Sequence, residues 1–415
     1  MAPFALIDIL GKPGAYAVYL LIGIGFGATL EAAGFANSRK LAAQFFFKDM
    51  TVLKVMFTGI ITAMVLIFLA SAAGLLNYNA IYVPPTYLWP GIVGGLIMGV
   101  GFIVGGFCPG TSIVALASLK VDGMFFFLGL LAGVFVFGET VGLFAEFWYS
   151  SHMGRFTLPE FLGLPTGVVV LLVVLMAIGA FWLAEKGEAF FGDGGSDAKA
   201  VTPITRLAAA AGLTVMALVV MGMGQPTPAD KWRKMADDLA PLIEAREVQI
   251  SAGEFISVAG NSQINLRVLD VRNERDYNLF HLVDSRRLSL EEIEDGLHTD
   301  ELLEEPGNTL FVLVSNDEIN SSEAWKLLVA ESVLNVYILE GGINGWLDRF
   351  AGEGACEGCY PVEGDVAEGT LRYEFDAALG ANRPIADPDT FRDLVLPFIP
   401  KVKMEVRTEI KGGCG

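Results

Sequence analysis

The sequence predicts a polytopic α-helical membrane domain with an internal repeat and broken, re-entrant helices, followed by a C-terminal α/β domain built on a parallel sheet. Three observations lead there. Residues 1–224 contain six apolar stretches of near-spanning length, whereas from Gln249 onward short β-branched runs alternate with helical ones. Charge is divided as sharply: residues 1–224 carry 10 Lys+Arg and 11 Asp+Glu, a net of −1, and the rest carry 18 and 36, a net of −18. Sliding the chain against itself by 72 residues gives six identities in the 26 positions from Gly23 to Lys48. With 53% apolar and 18% charged residues, the composition excludes a purely soluble enzyme and a disordered chain, and its 48 glycines follow no collagen period. The acidic half argues against nucleic acid or anionic lipid as its partner.

The six spans are placed at Tyr16–Phe35, Val55–Leu76, Trp89–Phe107, Met124–Tyr149, Gly167–Ala184 and Leu207–Met223. Each is long enough, or nearly so, for about 30 Å of hydrocarbon. Glu31 in the first span, and Glu139 and Glu146 in the fourth, are ionisable groups that at membrane depth face protein or a cavity, or else sit at the membrane edge. Residues 1–14 have no basic n-region and no cleavage site, so the first span is expected to stay. Arg39, Lys40, Lys48, Lys54, Lys120, Lys186, Lys199 and Arg206 fall in alternate loops, while the opposite loops hold only Arg155. That asymmetry predicts a multi-pass protein of a bacterial-type inner membrane with the C-terminal domain periplasmic; Lys231, Arg233 and Lys234 weigh the other way.

The repeat aligns Gly23 with Gly95, Gly27 with Gly99, Gly34-Phe35 with Gly106-Phe107, Ala43 with Ala115, and Lys48 with Lys120. Its second copy breaks at Gly105-Gly106-Phe107-Cys108-Pro109-Gly110-Thr111-Ser112. Glycine opens backbone conformations closed to other residues, and proline removes a donor and obstructs a continuing helix. Irregular backbone at membrane depth requires protein or a cavity for partners, and repeat-built transporters bind substrate at such breaks. A helix starting at Pro109 or Gly110 would aim amides, with the Thr111 and Ser112 hydroxyls nearby, at the space around Cys108. This suits a small anion, and a thiol there suits one that contains sulfur. Alternatively, Cys108 is a small apolar filler at a kink. Lys48 and Lys120, with Glu31, are expected to shape the field along the path.

The Gly-Phe-Cys-Pro-Gly-Thr-Ser run, the glycine-rich span before it and the weaker copy at Gly34-Phe35-Ala36-Asn37-Ser38-Arg39 resemble the YeeE/YedE sulfur-transport family over about residues 15–150. The resemblance implies an hourglass membrane protein whose re-entrant helices meet at a constriction where cysteines contact a sulfur compound such as thiosulfate. Only Cys108 carries over, since its counterpart is Ala36 and the membrane half has no other cysteine.

Residues 225–248 read as a linker helix, and 249–352 as the α/β domain. Leu266–Val271, Thr309–Ser315 and Asn335–Leu339 are predicted strands, and Leu288–Leu297 and Ser321–Ser332 predicted helices. Residues 266–350 resemble a rhodanese-like domain, through Asp270-Val271-Arg272 with Glu274 and Tyr277, Phe280-His281-Leu282, and Leu339-Glu340-Gly341-Gly342-Ile343-Asn344-Gly345-Trp346. The resemblance implies a persulfide-forming cysteine at the end of the strand Leu310–Val314, opening a loop of amides. Here that loop is Ser315, Asn316, Asp317, Glu318, Ile319, Asn320 and Ser321, with serine for cysteine and Asn320 where an arginine is usual. Serine cannot hold a sulfane sulfur, and Asp317 and Glu318 would repel an anionic donor. The domain is therefore expected to bind or dock and not to be an enzyme. His281 is expected to hold the fold, and three scattered histidines give no metal or haem site, so no cofactor is predicted.

Residues 353–415 form an acidic extension with Cys356-Glu-Gly-Cys359 and a Gly-Gly-Cys414-Gly tail. Cys356 and Cys359 could close a disulfide, act in redox chemistry or form half a metal site. Cys414 could carry sulfur on a mobile end or be a plain thiol. The segment Glu363–Pro400 could wrap the rhodanese-like core or dock on another subunit. The reading that gathers most of these features is membrane transport of a small sulfur-containing anion, with the second domain capturing substrate or docking a periplasmic donor protein. A sulfurtransferase is opposed by Ser315 and Asn320. The alternative is a non-transporting scaffold subunit of a larger redox or sulfur-metabolism complex.

Overall fold

The computed structural model describes residue 4 and residues 6–191, 203–352, 358–364 and 366–405. Two compact units divide the chain, the main boundary falling between Gln225 and Pro226, with Asn79–Tyr82 grouped with the second unit.

In the membrane unit, six helices among the described residues are long and apolar enough to span a bilayer, at Ile9–Ala32, Thr51–Ala72, Leu88–Ala117, Val121–Trp148, Thr166–Phe191 and Ile204–Met223. They coincide with the six predicted spans. The third runs ten residues past its predicted end because it takes in the short helix after the break. In order the helices are α1 (Leu6–Ala32), α2 (Ser38–Ala43), α3 (Thr51–Ala72), α4 (Leu88–Gly105), α5 (Pro109–Ala117), α6 (Val121–Thr140), α7 (Ala145–Trp148), α8 (Leu158–Leu162), α9 (Thr166–Phe191) and α10 (Pro203–Met223). The repeat is visible as long helix, break, short helix, long helix: α1, α2, α3, and again α4, α5, α6.

Two cores hold this unit. Ile61 and Val65 of α3, Val170, Val174 and Ala177 of α9, and Ala217 of α10 bury one another. Their spacing of three and four residues puts each set on one helix face. At Gly167 the backbone of α10 comes so close that a Cβ would lie 2.5 Å from Met221 Cα. The second core joins the breaks: Phe35, Ala36 and Leu41 from the first copy pack with Phe107 and Ala115 from the second and with Val52.

The second unit continues with α11 (Pro228–Glu244), β1 (Gln249–Ile250), α12 (Ala252–Ala259), β2 (Asn265–Asp270), α13 (Glu274–Leu279), β3 (Ser285–Arg287), α14 (Leu290–Glu294), α15 (Thr299–Glu304), β4 (Thr309–Val314), α16 (Ile319–Ala330), β5 (Val336–Leu339), α17 (Gly342–Phe350), β6 (Cys359–Pro361) and β7 (Tyr373–Phe375). The first five strands form a parallel sheet in the order β1-β5-β4-β2-β3, and β6 pairs antiparallel with β7. All six residues of β4 are buried, as a central strand covered on both faces requires. Its side chains alternate, Leu310, Val312 and Val314 into one core and Phe311 and Leu313 into the other.

Both segments that flank the predicted α/β domain pack on it. The linker helix is part of the domain: α11 starts from a Thr227–Asp230 capping box and lays Trp232 edge-on to Trp325 of α16 at 6.1 Å. The acidic extension wraps the core, with Leu371, Tyr373, Phe375, Ile385, Phe391 and Leu396 completing one face of the sheet. Trp346 fixes that arrangement by donating its indole N–H to Ile385 O at 2.7 Å.

Candidate functional site

The break in the membrane unit is built by one left-handed glycine and one sulfur cap. Gly106 ends α4 at φ +73°, as Gly34 ends the first copy's helix at φ +87°. A Cβ on Gly106 would lie 2.9 Å from Ser38 Cβ and 3.1 Å from Ser38 O, so the two breaks touch there. Phe35 and Phe107 are both 1% exposed, and Phe107 meets Phe126 edge-on at 5.7 Å. Cys108 is the N-cap of α5, an unusual use of a thiol. Its Sγ accepts from Thr111 N–H at 3.4 Å, while the Thr111 hydroxyl accepts from Cys108 N–H at 2.9 Å and lies 3.3 Å from the sulfur. Pro109 at the first helical position wastes no donor. Cys108 is partly buried and carries a free thiol.

The expected ring of donors around Cys108 is thus smaller than the sequence suggests. Thr111 is spent on the cap. Ser112 is fully buried, turns its hydroxyl back to Pro109 O at 2.7 Å, and gives its N–H to Cys108 O at 3.0 Å. What remains in the first turn is the Gly110 N–H, which lies ahead of the first intrahelical bond of α5. In the first copy the cap falls one position later than the alignment implies, on Asn37, whose side chain accepts from Arg39 N–H at 3.1 Å. The side chain of Ala36 is buried instead. Glu31 lies exposed in the last turn of α1.

In the second unit β4 delivers Ser315 at the carboxyl end of the sheet, where α/β sites sit. Its hydroxyl is buried, donating to Asp317 O at 2.7 Å, 2.9 Å from Ser321 Oγ, and accepting from Ser321 N–H at 3.2 Å. The loop is shorter than predicted, since Ile319, Asn320 and Ser321 already form the first turn of α16. Asp317, one residue before the N-cap Glu318, accepts the Ile319 N–H at 2.8 Å and so satisfies the first amide of the helix. Glu318 is bound bidentately by Arg246 at 2.8 and 3.0 Å and accepts Gly341 N–H at 2.8 Å. That ion pair holds Arg246 still more firmly protonated. Both carboxylates therefore engage main-chain N–H groups, Asp317 that of Ile319 and Glu318 that of Gly341.

Below the loop, Asp270 and Arg272 form a buried fork at 2.7 and 2.9 Å, and Arg272 also reaches Phe280 O at 2.6 Å and Asn316 Oδ1 at 3.3 Å. His281 sits 2.7 Å from Tyr277 O and stacks on Tyr277, a contact that holds the fold. Gly342, at φ +58°, leaves no room for a Cβ, which would lie 2.4 Å from Ser315 O and 2.3 Å from Asp317 O. The next two amides, of Ile343 and Asn344, donate to Ser315 O and Asn316 O at 2.8 and 2.9 Å.

The sequence allows Glu363–Pro400 to wrap the core but does not show that it straps the Ser315 loop. The extension passes over this loop: Gly369 N–H donates to Asp317 Oδ2 at 2.6 Å, and Asn316 Nδ2 donates to Gly369 O at 3.0 Å. Asn344 holds the next residues, through Thr370 O at 2.9 Å and Arg372 N–H at 2.8 Å. Main-chain contacts of this kind leave no side-chain signature. Cys359 is disulfide-bonded; Cys356 and Cys414 lie outside the described residues. Among the described residues no three His, Cys, Asp or Glu side chains gather as a metal site.

Residues 32–229 match the family described as Sulphur transport, and residues 252–349 match the Rhodanese-like domain. The chain joins a sulphur-transport domain to a rhodanese-like domain. No curated protein and no solved structure matches the chain. The sulphur-transport match covers both breaks and all of α2–α10, and the rhodanese-like match spans the sheet from β2 to β5 and the Ser315 loop.

Proposed function

We propose that the chain transports a small sulfur-containing anion such as thiosulfate, that the anion passes the constriction at Cys108, and that the rhodanese-like domain is a non-catalytic capture or docking module on the periplasmic side. The observation that carries this reading is the junction of two repeat-related helix breaks in one buried core, with a free thiol at the head of α5 beside it. The N-terminus of a helix favours negative charge, and the Gly110 N–H is left for the anion. A sulfur atom of the substrate would approach the Cys108 sulfur, a soft and polarizable neighbour. Nothing in this path needs covalent chemistry.

Non-catalysis in the second domain is supported by Ser315 and by the two carboxylates that fill the loop. The Gly369 strap adds a physical cover. A donor protein or a redox subunit then meets the outer surface of the domain and not the old nucleophile position. The test is uptake of radiolabelled thiosulfate into proteoliposomes of the full chain. Saturable uptake above empty vesicles is expected, and uptake equal to empty vesicles with folded protein refutes transport of this substrate.

One observation favours the scaffold reading as the alternative. Phe107 is buried at the junction and meets Phe126 edge-on, so aromatic side chains pack where an anion would have to pass. Under that reading the uptake assay is negative and the protein co-purifies with redox or sulfur-metabolism subunits.

A further inference from the structure

One stretch of the rhodanese-like unit presents apolar side chains outward from a rigid mount. Residues 394–400, Leu-Val-Leu-Pro-Phe-Ile-Pro, carry no charge, although residues 225–415 contain 54 charged side chains. Val395 is 93% exposed and Ile399 80%, while Leu396 and Phe398 turn inward against Gly253. This alternation is that of an extended strand with one wet and one packed side. The mount is firm on both sides. Upstream, Leu394 N–H donates to Phe391 O at 2.8 Å, and the Phe391 ring stacks on Phe350 at 4.3 Å. Downstream, the buried Glu254 carboxylate accepts both Lys401 and Val402 N–H at 2.7 and 2.8 Å. Lys403 N–H goes to the Tyr337 hydroxyl at 2.8 Å and Glu405 N–H to Asn335 at 2.7 Å.

We propose that Val395 and Ile399 are a lipid-contact element, by which the rhodanese-like domain rests on an electroneutral bilayer surface at the level of the headgroup boundary. The occupant follows from three facts. The domain is tethered to a membrane: α10 ends at Met223 and α11 begins at Pro228, and the four residues between them span at most about 14 Å. Pro397 and Pro400 remove two backbone donors, which suits burial against lipid and spoils the segment as an edge for strand addition. A net of −18 on residues 225–415 opposes both a second copy of this domain and an anionic lipid surface. Two apolar side chains with charged shoulders, Arg392 and Asp393 before and Lys403 and Glu405 after, set a shallow depth. The element does not depend on the transport reading.

The test incorporates benzoylphenylalanine at position 395 or 399 of the full chain in phosphatidylcholine nanodiscs, with Leu297 and Ile319 as exposed reference positions. Both side chains point into open space, so the substitutions leave the packed face untouched. After irradiation, peptide mass spectrometry is expected to find lipid adducts at 395 and 399 several-fold above the references. Lipid adducts no more frequent than at Leu297 and Ile319, or adducts to protein in place of lipid, overturn the proposal.

Discussion

Gly106→Ala strikes the junction of the two breaks and nothing else. The residue sits at φ +73°, where a Cβ costs about 1–2 kcal/mol. That Cβ would also press on Ser38 at 2.9 and 3.1 Å, including its main-chain oxygen, and overpacking of this kind adds about 1–3 kcal/mol. The sum is about 2–5 kcal/mol, relieved only if α2 and the head of α5 move apart; even 2 kcal/mol is roughly a 30-fold shift away from the native break. Gly99→Ala is the matched control, since nothing lies within 4 Å of its Cβ position and alanine is the better helix former. Initial thiosulfate uptake and thermal unfolding are measured for both variants at equal reconstitution. Gly106→Ala is expected to lose at least about 30-fold in uptake, on the same conversion of 2 kcal/mol, and to melt earlier, with Gly99→Ala close to the parent. Indistinguishable behaviour of the two variants would refute the assignment of the break as the functional junction.

Ser315→Cys restores a thiol at the end of β4 but not an open loop, so thiosulfate:cyanide sulfurtransferase assays are expected to stay at background; robust turnover would show that only the nucleophile is missing. Arg272→Ala leaves the buried Asp270 carboxylate without its cation and is expected to cost about 3–5 kcal/mol, read as loss of the domain's thermal transition. Tyr373 has its phenol pushed up to about 12 by burial and by its hydrogen bond to Asp348. Because the folded-state value is raised, its contribution is complete below the ordinary tyrosine range near 10 and is lost as pH rises toward 12. Thermal stability is therefore expected to fall across that window, and Tyr373→Phe to remove this part of the fall.

The spans were legible because 20-residue apolar runs have few readings, and the α4–α5 break because Gly106, Pro109 and Gly110 punctuate one of them. Ser315 was legible as the end of a buried strand. Local hydrogen bonds were not. The sequence places Thr111 and Ser112 beside Cys108 without saying that Ser112 turns to Pro109 O, nor that Asn37 in place of Ala36 caps the first copy's short helix. In the second domain β1 has two residues and β3 is Ser-Arg-Arg, too short or too polar for periodicity, and both are defined by pairing across the sheet. The early start of α16 depends on one carboxylate, Asp317, reaching Ile319 N–H. The strap at Gly369 and Thr370 acts through its backbone, which any sequence possesses.

Central to the proposed function is the passage of a sulfur anion at Cys108. It is tested most directly by comparing thiosulfate uptake by the parent chain and Cys108→Ala, reconstituted to equal amounts and checked for equal thermal stability. Saturable uptake is expected in the parent and its loss in Cys108→Ala. Equal uptake by both would remove Cys108 from the route and contradict the proposed function.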